Sequence, residues 1–123
     1  MLNRYKKAYE KIAMGLLSFM PDEKDLKVLQ KTIQKYDSET AWELYLYKQE
    51  DDYIGLIGVE KLESELIVRH ISVDPSHRGE GLGKQMVQEL AELNKAYDIK
   101  ACQLTEPFIE KCLNEKKEAD MPI

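Results

Sequence analysis

The chain has 123 residues, enough for one domain with a substantial core and too few for two. Its net charge of −5, with 43% hydrophobic and 33% charged residues, argues against a disordered chain and against a nucleic-acid binder that relies on a basic face. No apolar run approaches a membrane span, and no signal peptide is recognisable. We therefore expect one cytoplasmic domain over residues 1–123, with no nucleic-acid or membrane partner.

The first predicted elements are a strand and two helices. Arg4–Glu10 predicts a short strand with weak alternation, and apolar residues then recur at helical spacing from Ile12 to a stop at Pro21. Asp22 is the expected cap of the second helix, and Asp25 adds favourable charge to its first turn. The apolar stripe of that helix consists of Leu26, Leu29, Ile33 and Tyr36.

The periodicity then changes to that of strands. Trp42–Tyr47 is rich in aromatic residues, and Tyr53–Leu62 follows after an acidic turn. Gly55 and Gly58 indicate a bulge or a close backbone approach in the second of these strands. With Glu65–Val73, the three segments predict an antiparallel meander.

The last third of the chain predicts a helix, a strand and a second helix. The first helix runs from Leu82 to about Ala96, the strand is Ile99–Leu104, and a short helix surrounds Phe108. Because a crossover helix precedes it, the strand is expected to pair in parallel with Glu65–Val73. The fold class is therefore α/β (α+β), a mixed sheet with helices on its faces.

A glycine-rich loop joins the third strand of the meander to the next helix. Free N–H groups at a helix start and the helix dipole favour an anion, so the loop predicts a phosphate-bearing ligand. Its spacing, Gly79-x-Gly81-x-Gly83, differs from the G-x-G-x-x-G of a dinucleotide-binding loop. It also differs from a Walker A loop, because Gln85 instead of Ser or Thr follows Lys84.

The remaining pattern is Arg78-x-x-Gly81-x-Gly83 after a strand that ends in Ile71-Ser72-Val73. It resembles the acyl-CoA-binding segment of the GNAT N-acetyltransferase family, whose pattern is Arg/Gln-x-x-Gly-x-Gly/Ala. The predicted order β-α-α-β-β-β-α-β-α is also similar to that of the family, and the resemblance covers nearly the whole chain. It implies a GNAT-like acyl-CoA N-acyltransferase fold and acetyl-CoA-dependent transfer of an acetyl group to an amine.

The resemblance also implies binding residues. Backbone groups of Ile71 and Val73 would bind the pantetheine arm, and the Val73 N–H would polarise the thioester carbonyl and stabilise the oxyanion. The pyrophosphate would be wrapped by N–H groups of the loop and the first helical turn, namely Arg78, Gly79, Gly81, Leu82, Gly83 and Lys84. The side chains of Arg78 and Lys84 add positive charge.

The attacking amine must lose a proton, and the candidate bases are His70 and Glu60, with Glu65 and Glu106 as weaker ones. An imidazole titrates near neutral pH, and His70 lies on the strand face opposite to Ile71 and Val73. The alternative for His70 is a half-buried sheet histidine that a neighbour satisfies.

The general acid is less clear in the sequence. Many family members place a tyrosine near the sulfur in a Phe-Tyr-x-Lys segment, and the matching Phe108-Ile109-Glu110-Lys111 has no hydroxyl at Ile109. Thr105, Cys112 or water are the possible substitutes. The spacing of Cys102 and Cys112 fits neither a metal nor a redox motif, so we expect reduced thiols and no metal.

Two functional classes therefore remain open. The first is the N-acetyltransferase, and the second is a CoA-binding regulatory or scaffold module with little turnover. The missing tyrosine favours the second class, as does a C-terminal segment that is expected to be too short for the family's closing β-hairpin. Without that hairpin Ile99–Leu104 is an exposed edge, and a homodimer that covers it is a further hypothesis.

Overall fold

The computed structural model describes residues 1–111. It contains a five-stranded mixed sheet whose order in space equals the order in sequence. Its strands are β1 (Leu2–Arg4), β2 (Trp42–Gln49), β3 (Asp52–Lys61), β4 (Glu65–Val73) and β5 (Asp98–Ala101). The helices are α1 (Glu10–Leu17), α2 (Leu26–Ser38) and α3 (Leu82–Leu93), and residues 106–111 are also helical.

The strand pairings confirm the predicted mixed α/β architecture. β1 to β4 are antiparallel neighbours, and β5 pairs with β4 in parallel. Both faces of the sheet are covered: α1 and α2 pack on one face, with Leu17 and Ile33 buried there, and α3 packs on the other through Met86 and Leu90. Burial of each such side chain stabilises the fold by roughly 1.5–3 kcal/mol.

A bulge in β4 changes the face on which its side chains lie. The register leaves Arg69 without a partner in β3, and the irregularity falls beside Gly58. The sequence indicates a bulge or a close backbone approach in β3, whereas the extra residue here belongs to β4. Val68 before the bulge and Ile71 after it both pack on the α3 face, although they are three residues apart. His70 is thereby turned toward α2.

Two predicted boundaries near the N-terminus are wrong. The predicted strand Arg4–Glu10 is instead the shorter β1, and α1 begins at Glu10. The helix cap is Asp25, not Asp22, because the Asp25 carboxylate accepts the N–H groups of Lys27 and Val28 at 2.8 and 3.2 Å.

Two elements of the last third are shorter than the sequence predicts. α3 ends at Leu93 because the side-chain amide of Asn94 donates to the Leu90 carbonyl at 3.0 Å, and β5 ends at Ala101. The predicted short helix near Phe108 is present through residue 111. Cys112 and the predicted lack of a closing hairpin lie outside the described residues.

Candidate functional site

β4 and β5 separate part-way along the sheet and leave a cleft. Their last paired residues are Val68 and Ala101. Beyond them the chain turns away from the sheet, and the Thr105 hydroxyl donates to the Val68 carbonyl at 2.7 Å. The rest of β4 therefore borders an open cleft of about 610 Å³.

The cleft brings together every residue that the family resemblance implies for cofactor binding. These are Ile71, Val73, Arg78, Gly79, Gly81, Leu82, Gly83 and Lys84. The connection between α1 and α2 faces β4 with an apolar wall of Phe19, Met20 and Pro21. The C-terminal side of the cleft is lined by Leu104, Thr105, Phe108 and Lys111.

Two backbone N–H groups of β4 point into this cleft. The Asp74 N–H donates to the Ile54 carbonyl of β3 at 2.8 Å. Because backbone groups alternate along a strand, the N–H groups of Val73 and Ile71 point the other way, toward the space that β5 has left. The Ile71 N–H meets the Met20 Sδ there at 3.3 Å. An extended ligand can pair with this edge as a strand would.

The glycine loop presents further N–H groups at the start of α3. Gly79 and Gly81 have φ angles of 85° and 75°, a left-handed conformation that glycine adopts at little cost. The first hydrogen bond of the helix runs from the Gln85 N–H to the Gly81 carbonyl at 3.1 Å. The N–H groups just before it have no acceptor within the helix; they belong to Leu82, Gly83 and Lys84.

A short turn fixes the beginning of the loop. The Asp74 carboxylate accepts the hydroxyl and the N–H of Ser76 at 2.6 and 2.9 Å, and these hydrogen bonds lower the pKa of Asp74. The Arg78 N–H donates to the Pro75 carbonyl at 3.4 Å. The Arg78 N–H, which the resemblance implies as a phosphate ligand, is thus engaged within the turn. The Arg78 guanidinium lies 6.0 Å from the centre of the Phe19 ring.

Positive charge lines the same part of the cleft. Arg78 and Lys84 contribute it from the loop, as the sequence implies, and Lys111 contributes it from the last helical residues. Lys111 was not among the predicted binding residues, because it comes to the cleft only when its segment packs on α3. Three cations beside free N–H groups suit a ligand with several phosphates.

Gly83 has a second role, which concerns packing. A β-carbon at Gly83 would lie 2.0 Å from Cζ of Phe108, so the ring occupies the space that a side chain would fill. The last helical segment therefore rests on the first turn of α3 through this glycine. Ile109 beside it is 2% exposed and packs with the core on the α3 face.

His70 belongs to a buried polar cluster on the α2 face, formed by Glu23, Thr32, Tyr36 and His70. The His70 Nε2 lies 3.0 Å from Glu23 Oε1, and its Nδ1 lies 2.6 Å from the Tyr36 hydroxyl. Glu23 also accepts the Thr32 hydroxyl at 2.8 Å. Burial raises the pKa of Tyr36 well above its ordinary value. Both ring nitrogens of His70 are thus partnered, and the ring does not line the cleft.

Glu60, the second predicted base, also has a partner in the fold. Glu60 accepts the Arg69 Nε at 3.1 Å and does not line the cleft. Burial raises the pKa of Cys102, but hydrogen bonds from Thr105 and the nearby Arg69 charge outweigh it, so the net shift is downward. Within residues 1–111, no three His, Cys, Asp or Glu side chains are grouped as a metal site would require, and no helix is long and apolar enough to cross a bilayer.

Sequence comparison identifies the family of the chain. Residues 40–119 match the model of the acetyltransferase (GNAT) domain. The chain belongs to the GNAT acetyltransferase family. A relative, an uncharacterized N-acetyltransferase in the lysA 3′ region of Bacillus methanolicus, is 55% identical over 113 residues, which are 91% of this chain and 94% of that protein.

Solved structures share the fold at low sequence identity. AAC(6')-Iy in complex with the bisubstrate analog CoA-S-monomethyl-acetylneamine has a TM-score of 0.73 at 13% identity, over 94% of this chain and 87% of that one. A possible acetyltransferase from Clostridium difficile 630 has a TM-score of 0.77 at 13% identity, over 96% of this chain and 88% of that one. A GNAT family acetyltransferase from Elizabethkingia anophelis with acetyl-CoA bound has a TM-score of 0.60 at 19% identity, over 77% of this chain and 57% of that one.

Proposed function

We propose that this GNAT protein is an acetyl-CoA-dependent N-acetyltransferase. One observation carries the proposal: the free N–H groups at the start of α3 and the two inward N–H groups of β4 line the same cleft. One set suits phosphate and the other suits an extended amide chain, and acyl-CoA contains both. The neighbours of the same fold that hold acetyl-CoA or a CoA analog support this choice of cofactor.

The cofactor is proposed to lie along the cleft from the loop to β4. Its pyrophosphate would accept the N–H groups of Leu82, Gly83 and Lys84, with Arg78 and Lys111 supplying further charge. Its pantetheine arm would pair with β4 where β5 has separated from it, which satisfies strand N–H groups that the sheet leaves open.

Two N–H groups are candidates for the donor to the thioester carbonyl. The Val73 N–H is the one that the family resemblance implies. The Ile71 N–H points into the same cleft and lies about 6.6 Å farther from the loop. Amide NMR shifts distinguish them, because acetyl-CoA has a thioester carbonyl and CoA has none. The donor is the residue whose amide signal differs between the two complexes.

For the base we propose His70, with Glu60 as the second candidate; neither lines the cleft, so the proton would reach either one through water. The Glu23 carboxylate, 3.0 Å from the His70 Nε2, would stabilise an imidazolium after proton uptake. Glu60 is the weaker candidate, because its carboxylate is already engaged in an ion pair with Arg69. The buried Thr105 hydroxyl already donates to the Val68 carbonyl, so we propose that the thiolate leaves without a proton from Thr105.

Calorimetry and a thiol-release assay test this proposal together. We expect acetyl-CoA to bind and a panel of amines to release CoA thiol. Absence of acetyl-CoA binding would reject any CoA-dependent function.

A CoA-binding regulatory module with little turnover is the second candidate function. It is favoured by Ile109, a buried core residue at the position where many family members carry a tyrosine near the sulfur. Tight binding of acetyl-CoA with no thiol release to any amine would establish this second function in place of the first.

The acceptor and the assembly are finer parts of the proposal. Arg4–Lys7, Glu10–Pro21 and Arg69–Val73 resemble RibT, an acetyltransferase encoded with bacterial riboflavin-biosynthesis enzymes, so amines of that pathway belong in the panel. We place the protein in the bacterial cytoplasm, and a second copy is proposed to cover β5, the last strand of the described sheet. A monomeric mass by light scattering at high micromolar concentration would overturn the dimer.

A further inference from the structure

Met20 occupies an unusual position in the cleft. Its Sδ is the acceptor for the Ile71 N–H at 3.3 Å, at the edge of β4 that β5 has left. The side chain is 7% exposed and forms part of the apolar wall opposite β4. A backbone N–H inside a cleft thus has a thioether as its partner.

A thioether is a weak hydrogen-bond acceptor, whereas buried backbone N–H groups normally pair with oxygen. The neighbouring strand would have supplied a carbonyl, but β5 ends its pairing three residues earlier, at Val68. Any carbonyl oxygen that enters the cleft along β4 forms a stronger hydrogen bond with the Ile71 N–H than the sulfur does.

The backbone of Met20 is held in place, while its side chain can move. The Met20 N–H donates to the Leu17 carbonyl at 3.0 Å, and its own carbonyl accepts the Glu23 N–H at 3.0 Å. The Ser72 hydroxyl donates to the Leu16 carbonyl at 2.7 Å and ties α1 to β4. The unbranched side chain has three rotatable bonds and needs no backbone shift to leave the Ile71 N–H.

We propose that Met20 is a placeholder that acyl-CoA displaces from the Ile71 N–H, and that the displaced side chain bounds the acyl group and limits its length. The inference rests on the proposed function, because it requires the acyl-pantetheine arm to enter the cleft along β4. A carbonyl oxygen of that arm takes the Ile71 N–H. Met20, held at the end of α1, then remains as the wall against which the acyl chain packs.

The displacement is tested on the unmodified protein by NMR. We expect saturating acetyl-CoA to shift both the Ile71 amide signal and the methyl signal of Met20. Met86 provides the matched internal control, because it is fully buried on the α3 face and does not line the cleft. Binding of acetyl-CoA that leaves the Ile71 and Met20 signals unmoved would overturn the placeholder role.

Two substitutions test the length limit and the competition. Met20→Ala enlarges the cleft, so we expect the affinity for butyryl-CoA relative to acetyl-CoA to rise about tenfold. Met20→Leu keeps the volume but removes the acceptor, so acetyl-CoA is expected to bind roughly threefold tighter, the equivalent of one weak hydrogen bond. Met86→Leu is the control and should change neither the butyryl-to-acetyl affinity ratio nor the affinity for acetyl-CoA.

The outcomes separate this inference from the proposed function. If the unmodified protein binds no acyl-CoA, the proposed function fails and the inference fails with it. If acetyl-CoA binds but the butyryl-to-acetyl ratio of Met20→Ala stays within twofold of the unmodified protein, only the length limit is overturned. If Met20→Leu binds acetyl-CoA no more tightly, the competition between sulfur and ligand is overturned.

Discussion

The two sides of β4, its open edge along the cleft and its face toward α2, carry polar groups in opposite situations. On the cleft side, the Ile71 N–H of the strand has only a weak acceptor, and the first N–H groups of α3 have no acceptor within the helix. On the α2 side, Glu23, Tyr36 and His70 are buried and fully partnered with one another. Open hydrogen-bonding groups favour a ligand, whereas satisfied ones hold the fold.

This difference predicts two separate responses to mutation. Changes in the cleft should alter ligand affinity and cost no more than about 1 kcal/mol of unfolding free energy. Changes in the buried polar cluster should lower the free energy of unfolding and leave ligand affinity within twofold. A cluster substitution that also lowers affinity tenfold would show that the two sides of β4 are energetically coupled.

The largest effect is expected from Gly81→Glu. The added side chain places a carboxylate where the phosphates are proposed to bind, and the left-handed conformation at this position adds about 1 kcal/mol of strain. Affinity for acetyl-CoA measured by calorimetry should fall at least 100-fold.

Gly81→Ala is the matched control, because it has the same backbone strain without the charge. Its loss of affinity should stay below about tenfold. Unchanged affinity of Gly81→Glu would show that the loop does not hold the phosphates.

The next largest effect is expected from His70→Ala. Removal of the ring leaves the Glu23 carboxylate and the Tyr36 hydroxyl without their partner, so the free energy of unfolding should fall by about 3 kcal/mol. Urea denaturation measures this change, and affinity for acetyl-CoA should stay within twofold.

Tyr36→Phe provides the control within the same cluster. It removes one hydroxyl and leaves the Glu23–His70 pair intact, so a loss of about 1 kcal/mol is expected. A tenfold loss of acetyl-CoA affinity in His70→Ala would contradict the separation of the two sides of β4.

The cleft was easier to predict from the sequence than the polar cluster, for a physical reason. The loop and the end of β4 are contiguous in sequence, so their spacing and glycine content describe the geometry directly. Glu23 and His70 are 47 residues apart and meet only when the turn Pro21–Glu23 packs beneath β4. No local pattern marks Glu23, an acidic residue in a polar turn, as the partner of a sheet histidine.

The fold shows the same contrast between local and long-range information. Strand β4 was predicted with its observed bounds, since its apolar pattern is strong. Its bulge at Arg69 was not predicted, because the glycines that indicated a bulge lie in the partner strand. The weakly alternating start of the chain was assigned to the wrong element, because β1 is fixed by its pairing with Tyr45–Tyr47 of β2 and not by its own pattern.

A smaller effect is expected from Gly83→Ala, which should lower the free energy of unfolding by about 1 kcal/mol. The new methyl group would collide with the Phe108 ring, which is 38% exposed and can swing outward at modest cost. Phe108 lines the cleft, so acetyl-CoA affinity should fall several-fold. In the Phe108→Leu background the added methyl should do less harm, and a double-mutant cycle measures that coupling. Additive effects would show that the contact does not position the loop.

The smallest effect concerns the pH dependence of the turn at Asp74. The Ser76 hydroxyl and N–H lower the pKa of Asp74 in the folded state. The stabilisation is therefore present above the unfolded value of about 3.9 and is lost as pH falls through the lower folded value. Asp74→Asn should reduce the free energy of unfolding slightly at neutral pH, and the difference should shrink as pH falls below the unfolded value of about 3.9.

Ser76→Ala makes this last prediction specific. Without the hydroxyl donor, the folded and unfolded pKa values of Asp74 approach each other, so Asp74→Asn should reduce stability less at neutral pH in the Ser76→Ala background than in the unmodified protein. The turn leads directly into the glycine loop, so Asp74→Asn can affect ligand binding as well as stability. If the free energy of acetyl-CoA binding changes more than the free energy of unfolding, Asp74 belongs with the groups of the cleft. A loss of stability alone would place it with the satisfied groups that hold the fold.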